Sequence, residues 1–146
     1  MTTPARLHDL FDQRLAATPE AVFLHLPDHT LSYAQLGGMV DTLQAELLAQ
    51  GVQPGDRVAT LSWNHHAHLE CYFGIPAAGG VMHTLNLRLA PAEIGWIAAD
   101  AADRFLIVDD ILLPLYRQIA PLHRFERVFV FPYSGAPVPE GFDDYE

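Results

Sequence analysis

Four short β-prone runs, at residues 58–62, 81–85, 105–108 and 128–131, begin 23, 24 and 23 residues apart. Between them lie helical patterns at 66–78, 91–101 and 111–120. That spacing holds one strand, one helix and two short connections, and little else. Strand, helix, strand at this rhythm predicts parallel βαβ units with right-handed crossovers. The segments do not resemble one another, so the rhythm is supersecondary and not a sequence repeat.

Upstream, Leu7, Leu10, Phe11 and Leu15 share one helical face, and Thr18-Pro19 ends that segment. Val22, Leu24 and Leu26 then alternate, Pro27-Asp28-His29 is turn chemistry, and Leu31-Ser32-Tyr33 is a short return. This predicts a small antiparallel hairpin. Ser32 and Gln35 have the form of a capping box. The helix they open carries Leu36, Val40, Leu43 and Leu47 on one face and stops at Gly51. The fold class expected is α/β: parallel βαβ units preceded by a helix and a small antiparallel hairpin, over residues 1–131. Residues 132–146, rich in Pro and Gly, read as a linker toward further sequence.

A chain of 146 residues, 50% of them hydrophobic, can bury one sizeable core. Its formal charge is −10, and all eight basic residues are arginine. The basic stripe that phosphate-backbone binding requires is absent, which argues against nucleic acid as a partner. The single cysteine, Cys71, excludes an internal disulfide framework and fits a reducing, cytoplasmic setting. The first residues lack the apolar region of an export leader. The longest uncharged stretch, 71–87, is interrupted by Gly74, Pro76, Gly79 and Gly80, so no integral membrane segment is expected.

Chemistry is concentrated in a few places. On a helix, His65 and His68 are i,i+3 neighbours, as are His68 and Cys71. Imidazole and thiolate are zinc ligands, and His83 is the further ligand that chain position offers. The spacing matches no closed zinc motif, and the competing reading is a helix start capped by Asn64, with Tyr72 and Phe73 in the core. Gly79-Gly80 precedes a strand, whereas a phosphate-cradling loop follows one and opens a helix, so these glycines read as a tight connection. The loop 86–89 lies at a strand's carboxyl end, where α/β folds place ligands, and Arg88 is either a ligand contact or a solvated charge. Asp109-Asp110 could hold a metal, or could simply favour a helix N-terminus electrostatically. Arg117 lies on the following helix and by default faces solvent. Ser32, Ser62 and Ser134 are the only serines, and none sits in a nucleophile elbow.

The stretch running Ser62-Trp63-Asn64, His68-Leu69-Glu70, Tyr72-Phe73, Pro76, Gly80-Val81, His83-Thr84-Leu85-Asn86 and Arg88-Leu89, with the upstream Leu31-Ser32-Tyr33, resembles the N-terminal part of adenylate-forming (AMP-binding) enzymes. More narrowly it resembles their medium/long-chain fatty-acyl-CoA synthetase branch, over essentially the whole chain. The resemblance implies a parent enzyme that joins a fatty acid to CoA through an acyl-adenylate, using ATP and Mg²⁺. It implies the remainder of that ligase as partner, a homodimer as a possible assembly, and Arg88 and Arg117 as residues that meet CoA phosphates. The family's phosphate loop and its lysines have no counterpart here, since the chain contains no lysine. The expectation is therefore a scaffold part that is inert alone, binding none of the parent's cofactors itself and supplying no catalytic residue. The alternatives are a stand-alone interaction module derived from such a ligase, or a His-rich metal-binding protein.

Overall fold

A computed structural model describes residues 6–146. The reading of an absent export leader falls mostly on residues 1–5, outside the described residues. Helix α1 (Leu7–Ala17) leads to an antiparallel hairpin of β1 (Val22–His25) and β2 (Thr30–Ser32). Helix α2 (Tyr33–Ala49) begins at the expected box: Gln35 N–H donates to Ser32 Oγ at 3.2 Å, and Ser32 N–H donates to Gln35 Oε1 at 2.9 Å. Gly51, at φ +89°, turns the chain after that helix, a conformation a side chain would disfavour.

The alternating pattern then runs through β3 (Arg57–Leu61), α3 (His66–Ala77), β4 (Val81–Thr84), α4 (Pro91–Asp100), β5 (Phe105–Asp109), a short 3₁₀ turn and α5 (Leu113–Ile119), to β6 (Arg127–Phe131). These strands form one parallel sheet in the order β4-β3-β5-β6. The chain's last strand, β7 (Asp143–Asp144), joins β6 in parallel as a fifth member.

Period-two alternation distributes the strand residues between two cores. Val58, Phe105, Ile107 and Phe129 face α2 and α3, with Leu43, Leu47, Cys71 and Ile75. Ala59, Leu61, Leu106, Val108 and Val130 face α4 and α5, with Ile94, Ala98, Leu113 and Ile119. A third cluster of Phe11, Leu36, Val40 and Phe73 fastens α1 and the hairpin to α2 and α3.

Several local expectations change. Residues 132–146 stay irregular through Gly141, but Val138 and Phe142 pack on the α4/α5 core. Tyr145 packs on the α2/α3 core, and the end of this stretch pairs with β6 in the sheet. The reason is sequence spacing: Phe142 and Tyr145 flank β7 and can reach opposite cores. Asn64 is exposed and caps nothing; the N-cap of α3 is His65, whose side chain makes no capping bond. Tyr72 is not the core residue expected, at 41% exposure, and Trp63 is 50% exposed. Trp63 lies on the turn after β3, and Tyr72 is the exposed residue on the outward side of α3. Ala90 gives α4 no side-chain cap, but Glu93 accepts the Ala90 N–H at 2.9 Å.

Candidate functional site

Strand order reverses at β3: β4 lies on one side and β5 on the other, with the intervening helices on opposite faces. In open α/β sheets ligands bind outside the carboxyl ends of the strands at such a switch point. Here that place holds Ser62 and Trp63 just past β3, His65 at the start of α3, and Asp109 at the end of β5.

Asp109 is fully buried and gathers the other three. Its carboxylate accepts from Ser62 Oγ at 2.7 Å and from the Trp63 N–H at 2.8 Å, and His65 Nε2 stands 2.9 Å away. Because the serine proton is directed at the carboxylate, which only accepts, Nε2 must carry the imidazole proton. The same nitrogen lies 3.0 Å from Ser62 Oγ. The residue types are those of a Ser-His-Asp nucleophilic triad, yet the arrangement is not one. A triad needs the two imidazole nitrogens to face different partners, one of them free to take the serine proton. Here Nε2 faces both, and Nδ1 is buried without a partner. The cluster is a bracket that fixes the turn presenting Trp63 and Asn64. His65 is further clamped by stacking on Phe131, with ring centroids 4.7 Å apart.

The remaining candidates separate. His68 Nε2 is 3.1 Å from Thr60 Oγ1. His83 Nδ1 lies 2.8 Å from both oxygens of Asp103, which is itself buried. Cys71 is fully buried, and burial pushes its thiol up to about 12, leaving it neutral and unreactive. Among the described residues no three His, Cys, Asp or Glu side chains converge on a point where a metal could sit. The zinc reading of 65–71 is corrected: each side chain has a different structural partner. Asp109 and Asp110 likewise diverge, Asp109 to the β3 turn and Asp110 to Ser134. Neither side chain caps the turn that follows β5.

Arg88 and Arg117 are both exposed, Arg88 in the turn after β4 and Arg117 on α5. Among the described residues neither guanidinium makes a hydrogen bond or ion pair, and no contact joins them. The Arg88 turn is set by its own N–H donating to Asn86 Oδ1 at 3.0 Å. Sequence reasoning named His65 and Asp109 separately but missed that Ser62, His65 and Asp109 meet. Two strands' carboxyl ends falling side by side was the available signal, and it needs the strand order to be read.

A second titratable cluster lies on α3. Glu70 is 5% exposed and accepts from Tyr145 Oη at 3.1 Å. Burial raises the Glu70 carboxyl above its ordinary value, opposed by the Tyr145 bond. A carboxyl raised on folding contributes stability below its unfolded pKa and loses it as pH rises through the folded value. Glu70→Gln is therefore expected to stabilise the fold by about 1 kcal/mol near neutrality, because the amide keeps an acceptor without the buried charge. The gain should vanish as pH falls below the ordinary carboxyl value of 4.5. Thermal unfolding across that range checks it; a loss of stability at neutral pH would show that the charge itself is needed. His66 and His68 act in the other direction, since burial lowers both and acid must protonate them at a cost to the fold.

This is an open parallel α/β domain with a structured switch point. Residues 11–138 match the family model of the AMP-binding enzymes, and the chain belongs to that family. A long-chain-fatty-acid–CoA ligase of Thermus thermophilus is 42% identical over 118 residues, which are 81% of this chain and 21% of that protein. A 3-methylmercaptopropionyl-CoA ligase of Ruegeria pomeroyi is 41% identical over 90 residues, 62% of this chain and 17% of that one. The chain thus spans about a fifth of the length of these relatives and corresponds to the N-terminal part of an adenylate-forming enzyme. Among solved structures, an anthranilate CoA ligase in complex with anthranoyl-AMP superposes with TM-score 0.89 at 24% identity, over 99% of this chain and 27% of that one. A Mycobacterium tuberculosis fatty acyl CoA synthetase gives 0.79 at 24% identity, over 84% and 26%. At these identities the two structures establish the shared fold. Among the described residues no helix is long and apolar enough to cross a membrane.

Proposed function

We propose that this chain is the N-terminal scaffold of a cytoplasmic, ATP-dependent fatty-acid–CoA ligase and is inert alone. The observation that carries the reading is the 42% identity to a long-chain-fatty-acid–CoA ligase across 81% of the chain. The sequence contains no lysine and no glycine-rich loop between a strand and a helix start, so these residues do not fit ATP or Mg²⁺. Nucleotide chemistry therefore belongs to polypeptide outside them. The part played here is to hold the switch-point turn and the β4 and α5 loops in fixed positions around which the remainder is built.

The test pairs the 146-residue chain with the polypeptide encoded by the complete reading frame. Fatty acid, ATP, Mg²⁺ and CoA should yield acyl-CoA, AMP and pyrophosphate with the complete polypeptide and none with the 146 residues. Acyl-CoA formation by the short chain, or none by the long one over a range of fatty acids, overturns the reading.

CoA contact by Arg88 and Arg117 is supported by their free, exposed guanidinium groups, which suit charge-assisted bonds to phosphate. In the complete enzyme Arg88→Ala and Arg117→Ala are each expected to raise the apparent KM for CoA about tenfold, equivalent to roughly 1.4 kcal/mol, and to leave that for ATP unchanged. An unchanged KM for CoA removes the residue concerned from the site.

A further inference from the structure

On the α2/α3 face the sheet is only partly covered. Helices pack about 8–10 Å apart, while strands lie about 4.8 Å apart, so two helices cover roughly four strands. Here α2 and α3 lie over β4, β3, β5 and the near side of β6, and the β6–β7 edge is left over. A groove of about 470 Å³ opens there. Its floor is apolar, formed by Leu43 and Leu47 of α2, Ile107 of β5, and Phe129 and Phe131 of β6. Its rim carries the exposed acids Glu46, Asp144 and Glu146, and no arginine lines it; Glu70 lines it from a buried position, bonded to Tyr145. The nearby Arg127 is committed to Asp143, through bonds of 3.0 and 2.6 Å. The one imidazole in the lining, His66, is held toward its neutral form by burial.

We propose that this groove seats an amphipathic helix bearing Lys or Arg along the flanks of its apolar face, supplied by the ligase polypeptide beyond Glu146. Three exposed carboxylates around an apolar floor repel an acyl chain that ends in a carboxylate or a phosphate, and attract a basic-flanked helix. The source follows from position and length. Glu146 itself lines the groove, so polypeptide continuing from it starts at the rim at high effective concentration. The relatives run about five times the matched length, which supplies ample chain. The inference rests on the ligase reading for the existence of that further polypeptide, and not for any step of its chemistry.

The experiment is thiol labelling with iodoacetamide. Cys71 is buried and its thiol is pushed up to about 12, so the native chain is silent. Thr42, exposed on α2, lines the groove, and Asp12, exposed on α1, does not. Thr42→Cys and Asp12→Cys are made in both the 146-residue chain and the complete polypeptide, each checked for native thermal unfolding. In the complete polypeptide Thr42→Cys should label roughly tenfold more slowly than in the short chain, while Asp12→Cys labels equally in both. Adding Glu46→Lys and Asp144→Lys to the complete polypeptide should restore fast labelling of Thr42→Cys. Equal rates in the two lengths overturn the proposal. So does protection that survives the charge reversal, since the rim would then play no part. Protection already present in the short chain and growing with its concentration assigns the groove to a second copy and also overturns it. An acyl-CoA assay on the same preparation separates the two readings: active but unprotected refutes the docked helix alone, and protected but inactive refutes the ligase alone.

Discussion

Asp109→Ala should lower the stability of the chain by about 3 kcal/mol, or a melting temperature lower by roughly 10 °C for a domain of this size. The substitution removes a fully buried carboxylate that serves three neighbours at once. Ser62 Oγ, the Trp63 N–H and His65 Nε2 each lose a partner at 2.7 to 2.9 Å. Alanine also leaves these donors where water does not readily replace the lost acceptor. His65 adds to the cost, because its other nitrogen is already buried without a bond. The neighbouring Asp110→Ala is the control. It removes bonds to Ser134 on an exposed surface, and there water substitutes, so its cost should stay near 1 kcal/mol. Chemical denaturation of the two variants decides the matter; equal effects would mean that Asp109 is no more than another surface acid. Fluorescence adds a local readout, since Trp63 and Trp96 are the only tryptophans and the lost bracket should loosen the former alone.

Gly74→Ala and Gly38→Ala should move stability in opposite directions, although both replace a helical glycine. A Cβ at Gly74 would stand 2.7 Å from Leu43 Cδ2 and 2.9 Å from Leu43 Cγ, where α3 crosses α2. Leu43 is buried in the α2/α3 core, and its Cγ is not a free end that can swing away. Forcing the helices apart costs about 3 kcal/mol, against roughly 1 kcal/mol gained from the better helix former, a net loss near 2 kcal/mol. Around Gly38 a Cβ would meet nothing within 4 Å, so only the gain remains, about 0.5–1 kcal/mol. Gly37 falls between, since its Cβ would meet the flexible end of Leu15 at 2.8 Å. Urea unfolding of the three variants ranks them. A stabilised Gly74→Ala would show that the α2–α3 approach has slack.

Both predictions concern how the scaffold holds a shape on which a larger enzyme is built. The bracket at Asp109 sets the turn at the carboxyl ends of β3 and β5, and the Gly74 crossing sets how closely α3 approaches α2. The second distance also fixes the width of the groove beside β6.

The strand and helix rhythm was legible because each element is coded locally. The hairpin turn, the Ser32 box and the β-prone runs at 58–62 and 105–108 each state their own conformation within a few residues. Family membership was legible for a related reason: the run from Ser62 to Leu89 keeps residue types in order along the chain, and order survives without coordinates. The misread residues are those whose neighbours come from afar. Tyr72 is large and apolar, which favours burial, but its depth depends on which stripe of α3 the neighbouring elements leave uncovered. His65, His68 and Cys71 sit at ligand spacing, yet Asp109, Thr60 and Tyr145 reach them from 44, 8 and 74 residues away.

The sequence by itself therefore determined the α/β alternation, the Ser32 capping box, the acidic balance and the kinship to AMP-binding ligases, since all of these are local or ordered along the chain. Only the tertiary structure decided that β3 and β5 lie side by side, that one buried carboxylate gathers a serine and a histidine, and that β6 keeps an uncovered acid-rimmed edge. Those depend on strand order and on the mismatch between helix and strand spacing, which arise only when distant segments pack together.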